Sequence, residues 1–160
     1  MKPPSRHLLR GAACLAGLTA ILWGLPAAAS NPHNAPRVDL VRDISFGTIA
    51  LGSQGGQISV GPDDSLSCTG GLQCLGGQNA GVFTITGAKD ELVSICIPPT
   101  TLSDGNGHNL GASFTPSNTT MVLRPGNAKN RFTVGGTLTT GNGLVEGSYS
   151  GTFDVIVDYE

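Results

Sequence analysis

The chain has 160 residues, of which 24 are glycine, and only 12% of its residues are charged. Three of its nine basic side chains lie in the first 29 residues, so residues 30–160 carry six Lys and Arg against eleven Asp and Glu, a formal charge of −5. An acidic chain without a basic cluster is a poor match for phosphate groups, which argues against nucleic acid or anionic lipid as a partner.

The first 29 residues have the pattern of a secretory signal peptide. Lys2, Arg6 and Arg10 give a positive start, residues 11–25 are apolar, and residues 27–29 are three alanines that suit cleavage. The apolar run is short for a bilayer span, so we expect no stable membrane span after cleavage. The expected layout is a signal peptide at 1–29, a flexible leader at 30–37 and one domain at 38–160.

Short strands separated by turn residues follow the leader. Val38–Phe46 alternates as a strand, although Arg42 falls on its apolar face. Val82–Thr86 and Leu92–Ile97 flank a turn and predict a β-hairpin, which ends at a Pro-Pro pair because proline cannot donate to a ladder. Further strand candidates are Thr48–Leu51, Gln57–Val60, Ala112–Thr115, Thr120–Leu123 and Arg131–Thr140.

The end of the chain has the clearest strand pattern. From Tyr149 onward the odd positions are Tyr, Gly, Phe, Val, Val and Tyr, whereas most even positions are polar. Successive side chains of a strand point to opposite faces, so this pattern predicts one long, half-buried strand that continues to Glu160. About eight short strands without any helical periodicity predict an all-β antiparallel sandwich, with a barrel as the alternative.

Three cysteines follow the predicted signal peptide: Cys68, Cys74 and Cys96. In an oxidising compartment one pair should form a disulfide and one thiol should be left over. The short glycine-containing loop between Cys68 and Cys74 favours that pair, with Cys96 as the alternative partner of either residue. A metal site is less favoured because no histidine lies near these cysteines in sequence and their spacing is not Cys-x₂-Cys.

The sequence contains no motif that indicates an enzyme. After the predicted signal peptide only His33 and His108 remain, and there is no Gly-x-Ser-x-Gly, His-Glu-x-x-His or phosphate-binding loop. Asp104, Asn106 and His108 alternate as in a calcium loop but lack the further acidic ligands, so a turn is favoured. We therefore expect a non-enzymatic protein without a cofactor or a metal.

Two resemblances extend this interpretation. Tyr159 is the second-last residue and Gly147 the fourteenth from the end, with apolar residues at alternate positions between them. This stretch resembles the end of pilin subunits that are assembled by the chaperone–usher route. The second resemblance is carried by four runs: Ile44–Ile49, Cys68–Gly71, Phe83–Gly87 and Gly147–Phe153. With these runs, most of the chain looks like an uncharacterised family of small secreted bacterial β domains, and its layout is similar to spore coat protein U-type domains.

The pilin resemblance implies an incomplete immunoglobulin-like sandwich that accepts a strand from a periplasmic chaperone or from the next subunit. It implies a donor strand drawn from Arg37–Ile44, with Val38 and Leu40 as the inserted side chains. The expected location is secreted, with the periplasm as an intermediate stop on the way to the cell surface. The residues that would line the acceptor groove are Gly147, Phe153, Val155, Val157 and Tyr159.

Two functions of different classes follow from the sequence. The first is a structural subunit of a bacterial surface fibre, with other pilin-like subunits or a chaperone as partners. The second is a self-contained secreted binding module for carbohydrate or matrix. They differ in whether the domain is complete alone or needs a donor strand.

Overall fold

The computed structural model describes residues 35–126 and 130–160, and these residues form an all-β fold. The described residues contain twelve strands, rather than the expected eight or so. The described residues include no helix long and apolar enough to cross a membrane. The predicted signal peptide and most of the predicted leader lie outside the described residues.

The strands are short because glycine, proline and asparagine interrupt the apolar alternation every few residues. In chain order they are β1 (Arg37–Arg42), β2 (Ser45–Ala50), β3 (Gly56–Val60), β4 (Leu66–Cys68), β5 (Gln73–Asn79), β6 (Gly81–Thr86), β7 (Leu92–Cys96), β8 (Thr100–Ser103), β9 (Asn109–Pro116), β10 (Thr120–Val122), β11 (Arg131–Thr140) and β12 (Ile156–Tyr159).

Three antiparallel sheets are built from these strands. The largest has the order β1-β6-β11-β3-β4, with β9 and β8 added along β11. One edge of β11 pairs first with β6 and then with β3, and its opposite edge pairs with β9. The two smaller sheets are β10-β7-β12 and β2-β5. Sheets that face each other in this way give the predicted antiparallel, sandwich-like arrangement, which is confirmed.

Two apolar clusters fill the space between the sheets. The first lies between the β6 end of the large sheet and the β10-β7-β12 sheet, and it contains Phe83, Ile85, Val93, Ile95, Leu123, Phe132, Val134 and Val157. The second lies between the β3 and β9 end of the large sheet and the β2-β5 sheet, and it contains Ile58, Leu72, Leu102, Leu110, Ala112 and Leu138. β11 contributes to both clusters, so it joins the two halves of the fold.

The predicted hairpin of Val82–Thr86 and Leu92–Ile97 is wrong, although both strands exist. β6 pairs with β1 and β11, whereas β7 pairs with β10 and β12. The turn between them carries the chain from one sheet to the facing sheet, so that Ile85 and Val93 meet inside the same cluster. Alternation within each strand looks identical in a hairpin and in such an arch, because it reports which face is buried and not which strand is the neighbour.

Val38–Phe46 is two strands and not one. β1 belongs to the large sheet and β2 to the β2-β5 sheet, with Asp43 and Ile44 between them. A register irregularity lies between Leu40 and Arg42, and it frees the Arg42 side chain to pair with Asp64 at 2.8 Å. Arg42 therefore avoids the apolar face on which strict alternation would place it.

The predicted long terminal strand is confined to its last part, β12. In residues 141–155, between β11 and β12, the only strand-like pairing with the described residues is an isolated bridge between Ser150 and Ser103. Extending the register of β12 against β7 backwards places Asp154 opposite Pro98 and Phe153 opposite Pro99. Prolines have no N–H to donate, so the pairing of β12 with β7 does not extend back past Ile156. The chain thus passes from the edge of β8, at Ser150, to the edge of β7, at Ile156.

Candidate binding groove

An apolar groove of about 380 Å³ lies between β2 and residues 144–153. The second cluster forms its floor, where Ile58, Leu102, Leu110 and Leu138 reach the cavity. A concave site that is mostly apolar is the usual form of a binding site in a protein of this size. We therefore treat this groove as the candidate functional site.

The inner wall of the groove is β2 together with the residues just before it. Phe46 and Ile49 line the cavity and pack against the second cluster. They come close to the floor because Gly136 has no side chain: a Cβ at that position would lie 2.8 Å from Cζ of Phe46 and 3.2 Å from Cδ1 of Ile44. The glycine in the middle of β11 thus makes room for the aromatic ring of the wall.

The outer wall is the segment 144–153. Gly147, Tyr149, Gly151 and Phe153 all line the cavity, as the alternation in the sequence requires. The ring of Phe153 stacks on Phe114 at a centroid distance of 4.2 Å and meets the edge of Phe83 at 6.0 Å. Phe153 therefore separates the groove from the first cluster.

Both walls expose backbone groups that no neighbouring strand uses. β2 pairs with β5 on one side, and no other described strand pairs with it. Within 144–155, backbone hydrogen bonds to other described backbone groups are made only by Ser150, which exchanges two with Ser103 at 2.8 Å and 3.0 Å. Unpaired edges of this kind are the usual sites at which an extended peptide adds to a sheet.

The turn between β8 and β9 lies at the rim beside Gly147 and Tyr149. Asp104 accepts hydrogen bonds from the backbone nitrogens of Asn106 at 2.8 Å and His108 at 3.1 Å. Its second oxygen lies 2.6 Å from Nδ1 of His108, which must carry the proton because an ionised carboxylate can only accept. The hydrogen bond from His108 is the largest cause that lowers the pKa of Asp104 to about 2, and the two backbone bonds act in the same direction against burial.

Tyr149 links this turn to the wall. Its hydroxyl donates a hydrogen bond to the carbonyl of Val145 at 2.8 Å. Burial, followed by the nearby charge of Asp104, raises the pKa of the Tyr149 hydroxyl. The phenol is therefore a neutral donor that fixes the bend of the wall between residues 145 and 149.

The residues predicted to line an acceptor groove divide into two groups. Gly147 and Phe153 line the cavity. Val155, Val157 and Tyr159 instead pack against or within the first cluster, where Val157 is buried. The structure thus brings the first part of the terminal stretch to the groove and the last part to the sandwich core.

The candidate donor residues lie in β1, at the edge of the large sheet. Val38 is opposite Ile85 and packs against the first cluster, while Leu40 is opposite Phe83 and is 55% exposed. β1 pairs with β6 of its own chain. A donor role would therefore require β1 to leave this position.

The predicted Cys68–Cys74 disulfide is confirmed, with a Cα–Cα distance of 6.0 Å. Both cysteines pack against the second cluster, so the bond ties β4 to β5 behind the groove. The expected leftover thiol is wrong for the described part of the chain, because Cys96 is not free. Pairing of Cys96 with Cys68 or Cys74 is excluded, since these two are bonded to each other.

Sequence reasoning missed the inner wall and half of the outer wall. The sequence pattern marks Ile44, Phe46 and Ile49 as strand residues, with Ile44 at the end of the expected donor range, and it gives no signal for Leu144 and Val145. Their place in the groove depends on how β2 leaves the large sheet, which the local pattern does not encode. The one available signal was the glycine pair inside β11, which marks a close approach of another element.

Among the described polar groups beside the groove, the side chains of Asp104 and His108 pair with each other. No described Ser, Thr or Cys side chain hydrogen-bonds to the ring of His108, whose recorded partner is Asp104. In residues 35–126 and 130–160, no group of three His, Cys, Asp or Glu side chains could hold a metal ion. The oxygens of Asp104 that a calcium ion would need are used by its own turn.

Comparison with known families assigns the chain to an uncharacterised group. The model of the family described as "Domain of unknown function (DUF4402)" matches residues 37–159, which span the described domain from β1 to β12. The protein belongs to this family. Comparison with curated proteins gave no match, and comparison with solved structures gave none.

Proposed function

We propose that this protein is an exported, non-enzymatic structural subunit that assembles into, or decorates, a bacterial surface fibre. Its partners would be other pilin-like subunits or a periplasmic chaperone. The observation that carries the proposal is an apolar cavity between two unpaired backbone edges, β2 and residues 144–153. The composition and the signal-like start of the chain support export.

Strand addition accounts for both properties of the groove. An extended segment laid along it would hydrogen-bond to the free backbone groups of the walls and place alternate side chains on the apolar floor. Those side chains must be apolar, because a charge over Ile58 and Leu138 would be buried without a partner. Polar residues between them would face solvent.

The best candidate for the inserted segment remains Val38 and Leu40. Leu40 and the neighbouring Val41 are 55% and 52% exposed, so apolar side chains of β1 are already available at the surface. Insertion of β1 into a second copy would exchange its pairing with β6 for pairing with the groove walls. The unpaired backbone groups of the walls would replace β6 as the partners of β1.

A matched pair of valines tests the groove. Val145 lines it and is 44% exposed, whereas Val122 lies on β10 away from it and is 47% exposed. Val145→Asp should abolish polymers in electron micrographs and in light scattering of the exported protein, while Val122→Asp should retain them. Equal assembly of the two variants would refute the groove as the acceptor. Leu40→Asp, in the same assay, tests the donor.

The second candidate is a self-contained secreted binding module for carbohydrate or matrix. It is favoured by the pairing of β12 with β7 and of β1 with β6, because both terminal strands then have partners within the chain. This function predicts a stable monomer in sedimentation that neither needs a chaperone nor polymerises. Polymer formation that depends on Val145 would reject it.

A further inference from the structure

The end of β8 and the turn that follows it, residues 104–108, each approach the outer wall of the groove. Ser103, at the end of β8, forms the two-way bridge with Ser150. Asp104 lies beside Gly147, where a Cβ would be 3.6 Å from Cβ of Asp104. The turn thus abuts the middle of the wall segment 144–153.

The far end of the same turn approaches the wall from the other side. His108, Asn109 and Leu110 line a second, smaller cavity of about 200 Å³ together with residues 141–145. Leu144 and Val145 line both this cavity and the groove. The end of the turn and the start of the wall thus border the same small cavity where the wall leaves β11.

The shortest hydrogen bonds within the turn are made by one side chain, that of Asp104. The Asp104 side chain is 4% exposed, and its carboxylate accepts three hydrogen bonds of 3.1 Å or less, all from Asn106 and His108. Hydrogen bonds to a charged group are stronger than those between neutral groups. Gly105 and Gly107 both have positive φ and add conformational freedom to the turn. Without the carboxylate, longer bonds remain within the turn: the amide of Asp104 donates to the carbonyl of His108 at 3.3 Å, and the amide of Gly105 donates to the hydroxyl of Ser103 at 3.2 Å.

From this geometry we infer that Asp104 and His108 are a positioning pair for the groove: they fix the β8–β9 turn, and the turn fixes the outer wall. The distance between the two walls, and with it the affinity for an inserted segment, then depends on a pair of residues that lies outside the groove. The effect on affinity for an inserted segment rests on the proposed function, whereas the effect on the position of the outer wall does not.

A residue that merely stabilises the fold would act differently. Loss of general stability raises exchange at all amides that open by global unfolding, whereas loss of the positioning pair loosens only the contact that it supports. The amides of Ser103 and Ser150 report this contact, because each donates to the other residue's carbonyl. The amide of Ser117, which donates to the carbonyl of Thr133 at 2.7 Å, is a reference on a separate part of the large sheet.

Hydrogen exchange followed by NMR tests the inference on the full domain. In Asp104→Ala, exchange at Ser103 and Ser150 should rise about tenfold or more relative to Ser117. Asp104→Asn should recover most of this protection, because an amide oxygen still accepts the two backbone bonds and the amide nitrogen can donate to a histidine nitrogen. His108→Ala should raise exchange at the same two amides by a smaller factor, since Asp104 still accepts its two backbone hydrogen bonds.

Asp63→Ala is the matched control. Asp63 also accepts hydrogen bonds within its own turn, from the hydroxyl of Ser65 at 2.6 Å and its backbone nitrogen at 3.3 Å, but it does not line the groove. In this variant the exchange rates of the Ser103 and Ser150 amides, relative to that of Ser117, should stay unchanged. An unchanged ratio in Asp104→Ala, or a rise that Asp63→Ala reproduces, would overturn the inference.

The exchange result and the fate of the proposed function can be separated. If Asp104→Ala loosens Ser150 and Val145→Asp leaves assembly intact, the positioning pair stands and the strand-acceptor function fails. If both variants reduce assembly while only Asp104→Ala changes exchange at Ser150, both proposals are supported. Exchange at Ser103 and Ser150 alone decides the inference.

Discussion

The hydroxyl oxygen of Tyr159 lies 2.8 Å from the backbone nitrogen of Ala88, so the second-last residue is bonded to the turn that joins the two facing sheets. The phenol ring lies over Gly87, where a Cβ would be 2.5 Å from the hydroxyl oxygen and 2.6 Å from Cδ1 of Leu123. Tyr159 is therefore held at the arch between β6 and β7. The part of the terminal stretch with unpaired backbone groups lies before β12, in residues 144–155.

Tyr159→Phe should lower the free energy of unfolding by about 1 kcal/mol, because the N–H of Ala88 loses its acceptor while the ring is kept. Tyr159→Ala should cost more, since it also removes ring contacts with the first cluster. Urea denaturation followed by circular dichroism measures both. Equal stability of wild type and Tyr159→Phe would show that water replaces the bond at no cost.

The two glycines of the outer wall should respond differently to alanine. A Cβ on Gly147 meets nothing closer than 3.6 Å, whereas a Cβ on Gly151 would lie 2.8 Å from the carbonyl oxygen of Thr101 and 2.9 Å from Cδ2 of Leu102. Gly147→Ala should therefore change stability by less than about 0.5 kcal/mol, and Gly151→Ala should cost about 1–3 kcal/mol. The midpoint of thermal unfolding compares the two, and a larger loss in Gly147→Ala would contradict the packing.

Asp104 gives the domain a defined loss of stability in acid. Its pKa in the folded state, about 2, lies below the ordinary value of 3.8, so its contribution is fully present above the ordinary pKa and disappears as the pH falls toward 2. The difference in unfolding free energy between wild type and Asp104→Ala should therefore be constant near neutral pH and shrink between about pH 4 and about pH 2. A difference that persists unchanged at about pH 2 would show that the carboxylate is not the cause.

The disulfide should stabilise the half of the fold that carries the groove. Replacing Cys68 and Cys74 by serine opens a short loop, for which the chain-entropy estimate is about 2 kcal/mol. Exchange should rise at the amides of β5 and β2, which lie next to the bond, more than at those of β7 and β12. Comparison of wild type with the double variant, both under non-reducing conditions, measures the effect. A uniform rise in both sheets would contradict a local role.

Much of the fold could be predicted from alternation and turn residues, because these report which face of a strand is buried. The strands around Phe83 and Val93 were placed correctly in sequence, yet their partners were not, since pairing is settled by contacts between distant segments. The same limit applies to Val38–Phe46, which reads as one strand but changes sheet at Asp43 and Ile44, between β1 and β2.

The candidate site was only half visible in the sequence. The alternation from Gly147 to Phe153 marks one wall, because a periodic apolar face that is not buried by its own sheet needs another surface. β12 begins late for a reason that lies in another part of the chain, because its register against β7, extended backwards, meets Pro98 and Pro99. The inner wall follows from the path of β2 over Gly136, and no spacing rule within β2 predicts that path.

The central strand β11 has a consequence for how the domain unfolds. Phe132 and Val134 in its first half and Leu138 in its second half belong to different clusters, yet they lie on one continuous strand. When β11 as a whole leaves its place, apolar surface is exposed in both clusters at once. Global unfolding therefore disorders the two interiors together, although either half can still open locally.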